Sequence, residues 1–495
     1  RQLERSREVS TRRRVIDYYR DILKVEEERI AFADHHLAHS FAPLFNIPRE
    51  ESWLVFSLDG EGDGLSATVN LCQDGELKRL SHTEDHSSLG WLYLSLTKYL
   101  GMRPNEDEFK VMGLAPYAKE VEAPYNLLKE VIWVEGLRFD SRFRMQNSLQ
   151  FLREKFGGFR FDNLAGALQR LTEELTVEWV RNGVRATGVR NVALAGGVFM
   201  NVKANLAISS LPEVERLWVM PSCGDESLAV GASLYGYWTL CKERGLHFNP
   251  QPLKDLYLGP QYREEEISQY LKAKRYFEKY RITRADSPGE VARLLAVGEI
   301  VARFSGRMEW GARALGNRSI LANPADQTVV RRINEQIKGR DFWMPFAPSI
   351  LQEDEETYVV NPKGISAPYM VMAFGATEKA KKDLLAAIHP YDFTLRPQIV
   401  YREWNPQYYT LIKEFKRLTG IVGILNTSFN LHGKLIICYQ QDALDTFDRS
   451  GLQYLTLESY LISKAEPRPS ILPPSDSSSQ SSLGTIQSTG HTDTH

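Results

Sequence analysis

The stretch SWLVFSLDGEGDGLSATVNL sets an unbroken apolar run before a glycine-rich turn and a second apolar run, which predicts a buried strand, a turn and a partner strand. LAGALQRLTEELTVEWVRNGVRATG carries apolar residues at helical spacing and stops at Gly188 with arginines nearby, as an amphipathic helix does. NVALAGGVFMNVKANLAI then runs strand, glycine turn and helix, and RLWVMPSCGDESLAVGASLYGYW repeats that order. Strands alternating with helices, with glycines at the junctions, predict an α/β domain with ligands at the strand ends. From Phe248 to Tyr262, FNPQPLKDLYLGPQY brings in prolines and loses periodicity, so a domain boundary is expected there. A second α/β pattern follows, from EEEISQYLKAKRYF to ESYLISK, giving expected domains at 1–250 and 263–466. No repeat of solenoid period interrupts either half. The stretch 467–495 is rich in Ser, Thr and Pro and is expected to be disordered.

Composition agrees with more than one core, since 495 residues exceed what a single ordinary core organises. A net charge of −2 argues against a protein that coats nucleic acid or lies on a membrane surface. Cys72, Cys223, Cys241 and Cys438 are scattered without a CxxC pair, which predicts reduced thiols and a cytoplasmic location. No signal peptide and no membrane-spanning apolar run are visible in the sequence.

The segment ADHHLAHSFAPLF holds three of the ten histidines. As a helix it puts His35 and His39 one turn apart on one face, with His36 pointing elsewhere. Two readings stand: half of a metal site, or histidines that pack in a helix capped by Asp34. In LDGEGDG, Asp59 ends an apolar strand and is either a metal ligand or part of a tight hairpin turn. AGGVFMN and SCGDES are glycine turns that open helices, suited to phosphate or to plain tight connections, and Asp225 is equally suited to an N-cap. Taken together, His35, His39, Asp59 and Asp225 form a nitrogen and oxygen set that suits a divalent transition metal better than structural zinc.

The second half concentrates cations among apolar residues. Arg307, Arg313 and Arg318 lie in GRMEWGARALGNRSIL, Lys338 and Arg340 in NEQIKGRDFWMPFAPSIL, and Arg396 in DFTLRPQ. Guanidinium groups at such positions predict a partly buried anion pocket rather than a solvated face. LNTSFNLHG adds uncharged hydrogen-bonding groups after a strand, suited to an amide or carbonyl substrate or to an ordinary polar turn.

With DHHLAHS, LDGEGDG, NEDEFKVMGLAPY, AGGVFMN, CGDES, GRMEWGARALGNRSIL, INEQIKGRDFWMPFAPS and NTSFNLHG in this order, the chain resembles the NodU/CmcH-type O-carbamoyltransferases from about Asp34 to Lys464. The resemblance implies an actin-like ATPase (ASKHA) domain, related to the tRNA threonylcarbamoyl-transferring enzymes, followed by a YrdC-like domain. It implies that carbamoyl phosphate and ATP form carbamoyl-adenylate in the second domain. The carbamoyl group then passes to a hydroxyl of a small-molecule acceptor beside iron(II) in the first. Matched by motif, His35, His39, Asp59 and Asp225 are the implied metal ligands, and Gly196, Gly197 and Asn201 the implied nucleotide turn. Arg307, Lys338, Arg396 and Asn426 are implied for the carbamoyl phosphate pocket, with Arg313, Arg318 and Ser428 beside them. His39, Asp225, Arg307 and Lys338 would carry the catalysis. No nucleic-acid or membrane partner is implied, and a homodimer is compatible with the pattern.

Three positions depart from the family. Nothing in Arg1 to Leu23 matches its opening strand hairpin, so the chain is expected to be truncated there. Trp53 to Leu58 is then expected to form an exposed edge, with transfer to an alcohol impaired. Ala312 replaces a usual proline, and Lys434-Leu435 replace a usual Glu-Pro. A tRNA threonylcarbamoyl transferase and a non-catalytic nucleotide-binding scaffold are the rival readings. The second-half motifs disfavour the first, and carbamoyl-phosphate-dependent ATP–pyrophosphate exchange tests the second.

Overall fold

The computed structural model describes residues 2–284 and 288–464, so the stretch expected to be disordered lies outside the described residues. The chain is mixed α/β, and its first half runs α1 (Gln2–Leu23), α2 (His35–Phe41), β1 (Trp53–Gly62), β2 (Leu65–Gln73) and β3 (Glu76–Glu84). It continues with α3 (Glu108–Leu114), α4 (Phe161–Thr187), β4 (Asn191–Ala195), α5 (Val202–Ser209), β5 (Arg216–Val219) and α6 (Leu228–Arg244). The five strands form one sheet in the order β3-β2-β1-β4-β5. β1, β2 and β3 are antiparallel neighbours, whereas β1, β4 and β5 run parallel.

β1 is the middle strand, which explains its unbroken apolar run. Leu54, Val55 and Phe56 are fully buried because both faces of the sheet are covered. Phe56 packs edge-on against Trp179 of α4 with ring centroids 4.8 Å apart, and Val55 joins Phe41 and Leu234 beneath α2 and α6. The expected exposed edge along Trp53–Leu58 is therefore overturned: β2 pairs on one side and β4 on the other. The pairing partner β4 lies far downstream, and local sequence carries no mark of it.

Between Arg244 and Glu264 the chain has neither helix nor strand, and a second sheet follows. Its strands are β6 (Arg281–Arg284), β7 (Val301–Phe304), β8 (Arg318–Ala322), β9 (Ala347–Leu351), β10 (Gln398–Val400), β11 (Gly423–Ser428), β12 (Tyr454–Leu457) and β13 (Tyr460–Ser463). They are ordered β10-β9-β11-β8-β7-β12-β13-β6. The two sheets share no strand, but apolar packing joins them. Leu315, Ile350, Tyr358 and Phe374 share one buried cluster with Phe56 and Trp179. Asn205 Nδ2 donates to the Val371 carbonyl at 2.9 Å, and Lys363 Nζ donates to the carbonyls of Leu211 and Val214 at 2.6 Å. Among the described residues no helix is long and apolar enough to cross a membrane.

Candidate functional site

Asp34 caps α2, its carboxylate accepting the Leu37 N–H at 2.9 Å, and the His35 N–H is held at 2.8 Å by Asp63. With its start fixed, the helix aims His35 and His39 at the end of β1. The hairpin reading and the ligand reading of LDGEGDG fall on different residues. Asp63 and Gly64 make the two-residue turn with positive φ, while Asp59 stays in the strand.

Four donors converge there. His39 Nε2 lies 2.9 Å from Asp59 Oδ2, and His35 Nε2 lies 3.6 Å from the same oxygen. Asp225 Oδ1 stands 3.7 Å from His35 Nε2 and 3.8 Å from His39 Nε2. One atom from each of the four residues falls within 4.8 Å of all the others. Asp225 opens a 3-10 turn (Asp225–Ser227) but caps no helix with its side chain.

The surroundings orient these groups. The Gly60 N–H holds Asp59 Oδ1 at 2.6 Å, leaving Oδ2 for the imidazoles. His39 Nδ1 meets Ser227 Oγ at 3.1 Å; with the proton placed there, Nε2 keeps its lone pair for the centre. Gly196, at φ +98°, passes so close to the Leu58 carbonyl that a Cβ would overlap it, and a Cβ on Gly197 would lie 3.1 Å from Asp59 Oδ1. Burial works against the Asp59 charge, yet the hydrogen bond to His39 and the nearby His35 ring hold its carboxyl well below the usual carboxylate range. Burial also opposes a charged His35, but the nearby Asp59 carboxylate raises its pKa. His35 Nε2 is buried with no hydrogen-bond partner. That orphaned atom, among two imidazoles and two carboxylates, fits a divalent metal ion and no thiolate-seeking one. A Cβ on Gly62 would occupy the His35 ring. Gly62→Ala is accordingly expected to weaken divalent-metal binding by about tenfold or more without unfolding the chain, as metal titration with circular dichroism would report.

His36 takes no part. Its Nδ1 meets Ser57 Oγ at 2.9 Å and its Nε2 the Leu65 carbonyl at 3.1 Å, and burial lowers its pKa to about 4.

The second centre gathers Arg313, Lys338, Arg340 and Arg396. Burial lowers the pKa of each, and cationic neighbours add to it: Arg340 acts on Lys338, Arg313 on Arg340, and both arginines on Arg396. Arg340 is pushed down to about 10, and its guanidinium lies 5.2 Å from the Phe346 ring. Among the described residues none of these three guanidiniums has a hydrogen-bond or ion-pair partner. Lys338, 2 % exposed, donates to Ser428 Oγ at 3.1 Å, the Asn430 carbonyl at 3.3 Å and Asn430 Oδ1. Asn426 is buried, donating to the Ala314 carbonyl at 3.1 Å and Ser349 Oγ at 3.0 Å, and its own Oδ1 has no partner. Like charges crowded without an ion-pair partner are an arrangement suited to an anion. The loop that bears Asp225 approaches the second half: a Cβ on Gly311 would lie 2.8 Å from Ser222 Oγ, and the Glu226 carboxylate beside Asp225 acts on Arg313.

Other residues singled out by sequence are employed elsewhere. Arg307 is exposed and donates to the Leu258 carbonyl at 2.7 Å and the Gly259 carbonyl at 3.1 Å, stapling the linker. Arg318 is fully buried and spends its guanidinium on the carbonyls of Ser305, Gly306 and Asn317. Asn201 caps α5 through the Ala204 N–H and exchanges two hydrogen bonds with Gln169, at 3.0 and 2.8 Å. Arg340 stood among the sequence's cations without a matched role; its apolar flank, Phe342 to Phe346, was the available signal.

Residues 6–234 match the family described as carbamoyltransferase N-terminus, and residues 292–464 the carbamoyltransferase C-terminus. The chain is 33 % identical over 476 residues to the protein MJ1058 of Methanocaldococcus jannaschii, covering 90 % of this chain and 76 % of that one. It is also 33 % identical over 442 residues to nodulation protein NolO of Bradyrhizobium diazoefficiens, covering 87 % of this chain and 79 % of that one. The solved structure of HypF from T. kodakarensis aligns at 19 % identity over 48 % of this chain and 39 % of its own, with a TM-score of 0.30, too loose to carry an argument. Two family matches in order and relatives aligned over most of their length make this chain a member of the carbamoyltransferase family.

Proposed function

We propose that this protein is an ATP-dependent O-carbamoyltransferase whose halves divide the work, an actin-like first half and a YrdC-like second. The sheet order β3-β2-β1-β4-β5, antiparallel on one side and parallel on the other, supports the first assignment. One observation carries the reading: three guanidiniums without protein partners, joined by a buried lysine, open beside the loop that bears Asp225.

Arg313, Arg340, Arg396 and Lys338 neutralise carbamoyl phosphate and the phosphates of ATP, which would otherwise repel each other. Carbamoyl phosphate loses its phosphate to water, the carbamate oxygen attacks the α-phosphorus of ATP, and pyrophosphate leaves. Asn426 presents its unpartnered amide oxygen to a donor such as the carbamoyl NH2. Arg307 joins by giving up its two linker carbonyls. In the first half, Gly196 and Gly197 form the turn proposed to receive the nucleotide, while Asn201 keeps the following helix capped. The acceptor hydroxyl attacks the carbamoyl carbon, loses its proton, and AMP departs. His35, His39, Asp59 and Asp225 would hold a divalent ion such as iron(II), which polarises a carbonyl or stabilises an alkoxide. Asp225, with its side chain 74 % exposed, marks the open side from which a hydroxyl-bearing sugar or natural product enters.

Carbamoyl-phosphate-dependent exchange of labelled pyrophosphate into ATP tests this reading. The wild-type chain is expected to exchange, and Arg396→Ala to lose about a hundredfold or more, as removal of a preorganised charge at the reacting phosphates does. A wild-type chain that binds nucleotide without any exchange would leave a scaffold instead of an enzyme.

A further inference from the structure

The motif NEDEFKVMGLAPY has no task in the proposed chemistry, yet its helix lies against the segment that carries two of the pocket's cations. Lys338 ends a helical turn at Gly339, which has φ +50°, and Arg340 to Met344 follow without regular structure. α3 packs on that segment. Lys110 Nζ lies 3.2 Å from Asp107 Oδ1 and 3.4 Å from Asp341 Oδ2, with the lysine side chain only 15 % exposed. Trp343 Nε1–H donates to the Lys110 carbonyl at 3.1 Å. One turn on, Gly113 presents bare backbone: a Cβ there would touch Met344 Sδ at 3.4 Å and the Trp343 carbonyl at 3.5 Å. The Gly113 carbonyl is in turn met by His389 Nε2 at 2.9 Å.

Arg340 sits directly before Asp341, yet their charges face different ways. Asp341 meets Lys110 in the first half, and Arg340 lies against the Phe346 ring. We propose that Lys110 is a positioning residue of the anion pocket, holding Asp341 outward so that Arg340 points inward at the bound anion. The ion pair does not touch the anion. It acts by fixing the backbone that mutual repulsion among Lys338, Arg340 and Arg396 would otherwise push apart. The first half thereby finishes a site built from second-half residues.

This inference rests on the reading of that pocket as the carbamoyl phosphate site, so the test separates the two. Calorimetry with inorganic phosphate, and KM for carbamoyl phosphate in the exchange reaction, are measured on the full chain. Lys110→Met is expected to raise both constants about tenfold with kcat within about twofold, the coupling expected of residues in one network. In an Arg340→Ala background the same substitution should add nothing, and the exchanged pair Lys110→Asp with Asp341→Lys should restore binding. Asp341→Asn asks the question from the other side should Lys110→Met fail to fold. Constants unchanged in Lys110→Met, or a loss of equal size without Arg340, would overturn the inference alone. Wild-type chain that binds no phosphate would overturn the pocket reading and the inference with it.

Discussion

His39→Ala is expected to strip the first centre of its metal, lowering affinity for a divalent ion by a hundredfold or more, on the order of a lost ligand rather than of a lost supporting hydrogen bond. The reason is geometric. His39 is wholly buried, and its Nε2 is the ring nitrogen nearest to Asp59 Oδ2, at 2.9 Å, while His35 stands back at 3.6 Å. Removing it also frees Ser227, the hydroxyl that links His39 to the turn bearing Asp225. Metal analysis after dialysis, compared with His36→Gln, gives the reading. The second variant alters a ring whose nitrogens both face Ser57 and Leu65, so it should keep the full metal content. Equal metal in His39→Ala and wild type would make the histidine pair structural.

The second large effect comes from a residue with no side chain. On α6, a Cβ at Gly231 would run into the carbonyl and Cα of Ala38 on α2, and backbone cannot rotate aside as a side chain can. Gly231→Ala should therefore cost about 3 kcal/mol of stability, at the upper end for overpacking, and weaken metal binding besides. The two effects share a cause, because α6 leads back through Ser227 to Asp225 and α2 carries both imidazoles. Gly236 on the same helix has nothing within 4 Å of its would-be Cβ. There the same substitution should gain about 0.5–1 kcal/mol by restricting the unfolded chain. Denaturant titration of both variants checks the pair, and opposite signs are the expected result.

The pattern of apolar and polar residues determined the elements of the first half. The strand at Trp53, the helix ending at Gly188 and the strand–turn–helix units after it depend on contacts a few residues apart, which spacing records directly. The cap at Asp34 is likewise local, and with it the shared face of His35 and His39. Tertiary structure alone decided whether charges of similar sequence context face solvent, backbone or one another. Arg307, Arg313 and Arg318 lie within a dozen residues, yet one staples the linker, one has no hydrogen-bond or ion-pair partner among the described residues and one is enclosed by carbonyls. Which of these a guanidinium does depends on the carbonyls and cations that distant strands bring beside it, and a chain read in one dimension holds no distance between them. The same holds for β1, expected at an edge and found at the centre, because its pairing with β4 closes a loop of more than a hundred residues. It holds again for Lys110, whose partner Asp341 belongs to the other sheet's half of the chain and is reached only because one apolar core spans both.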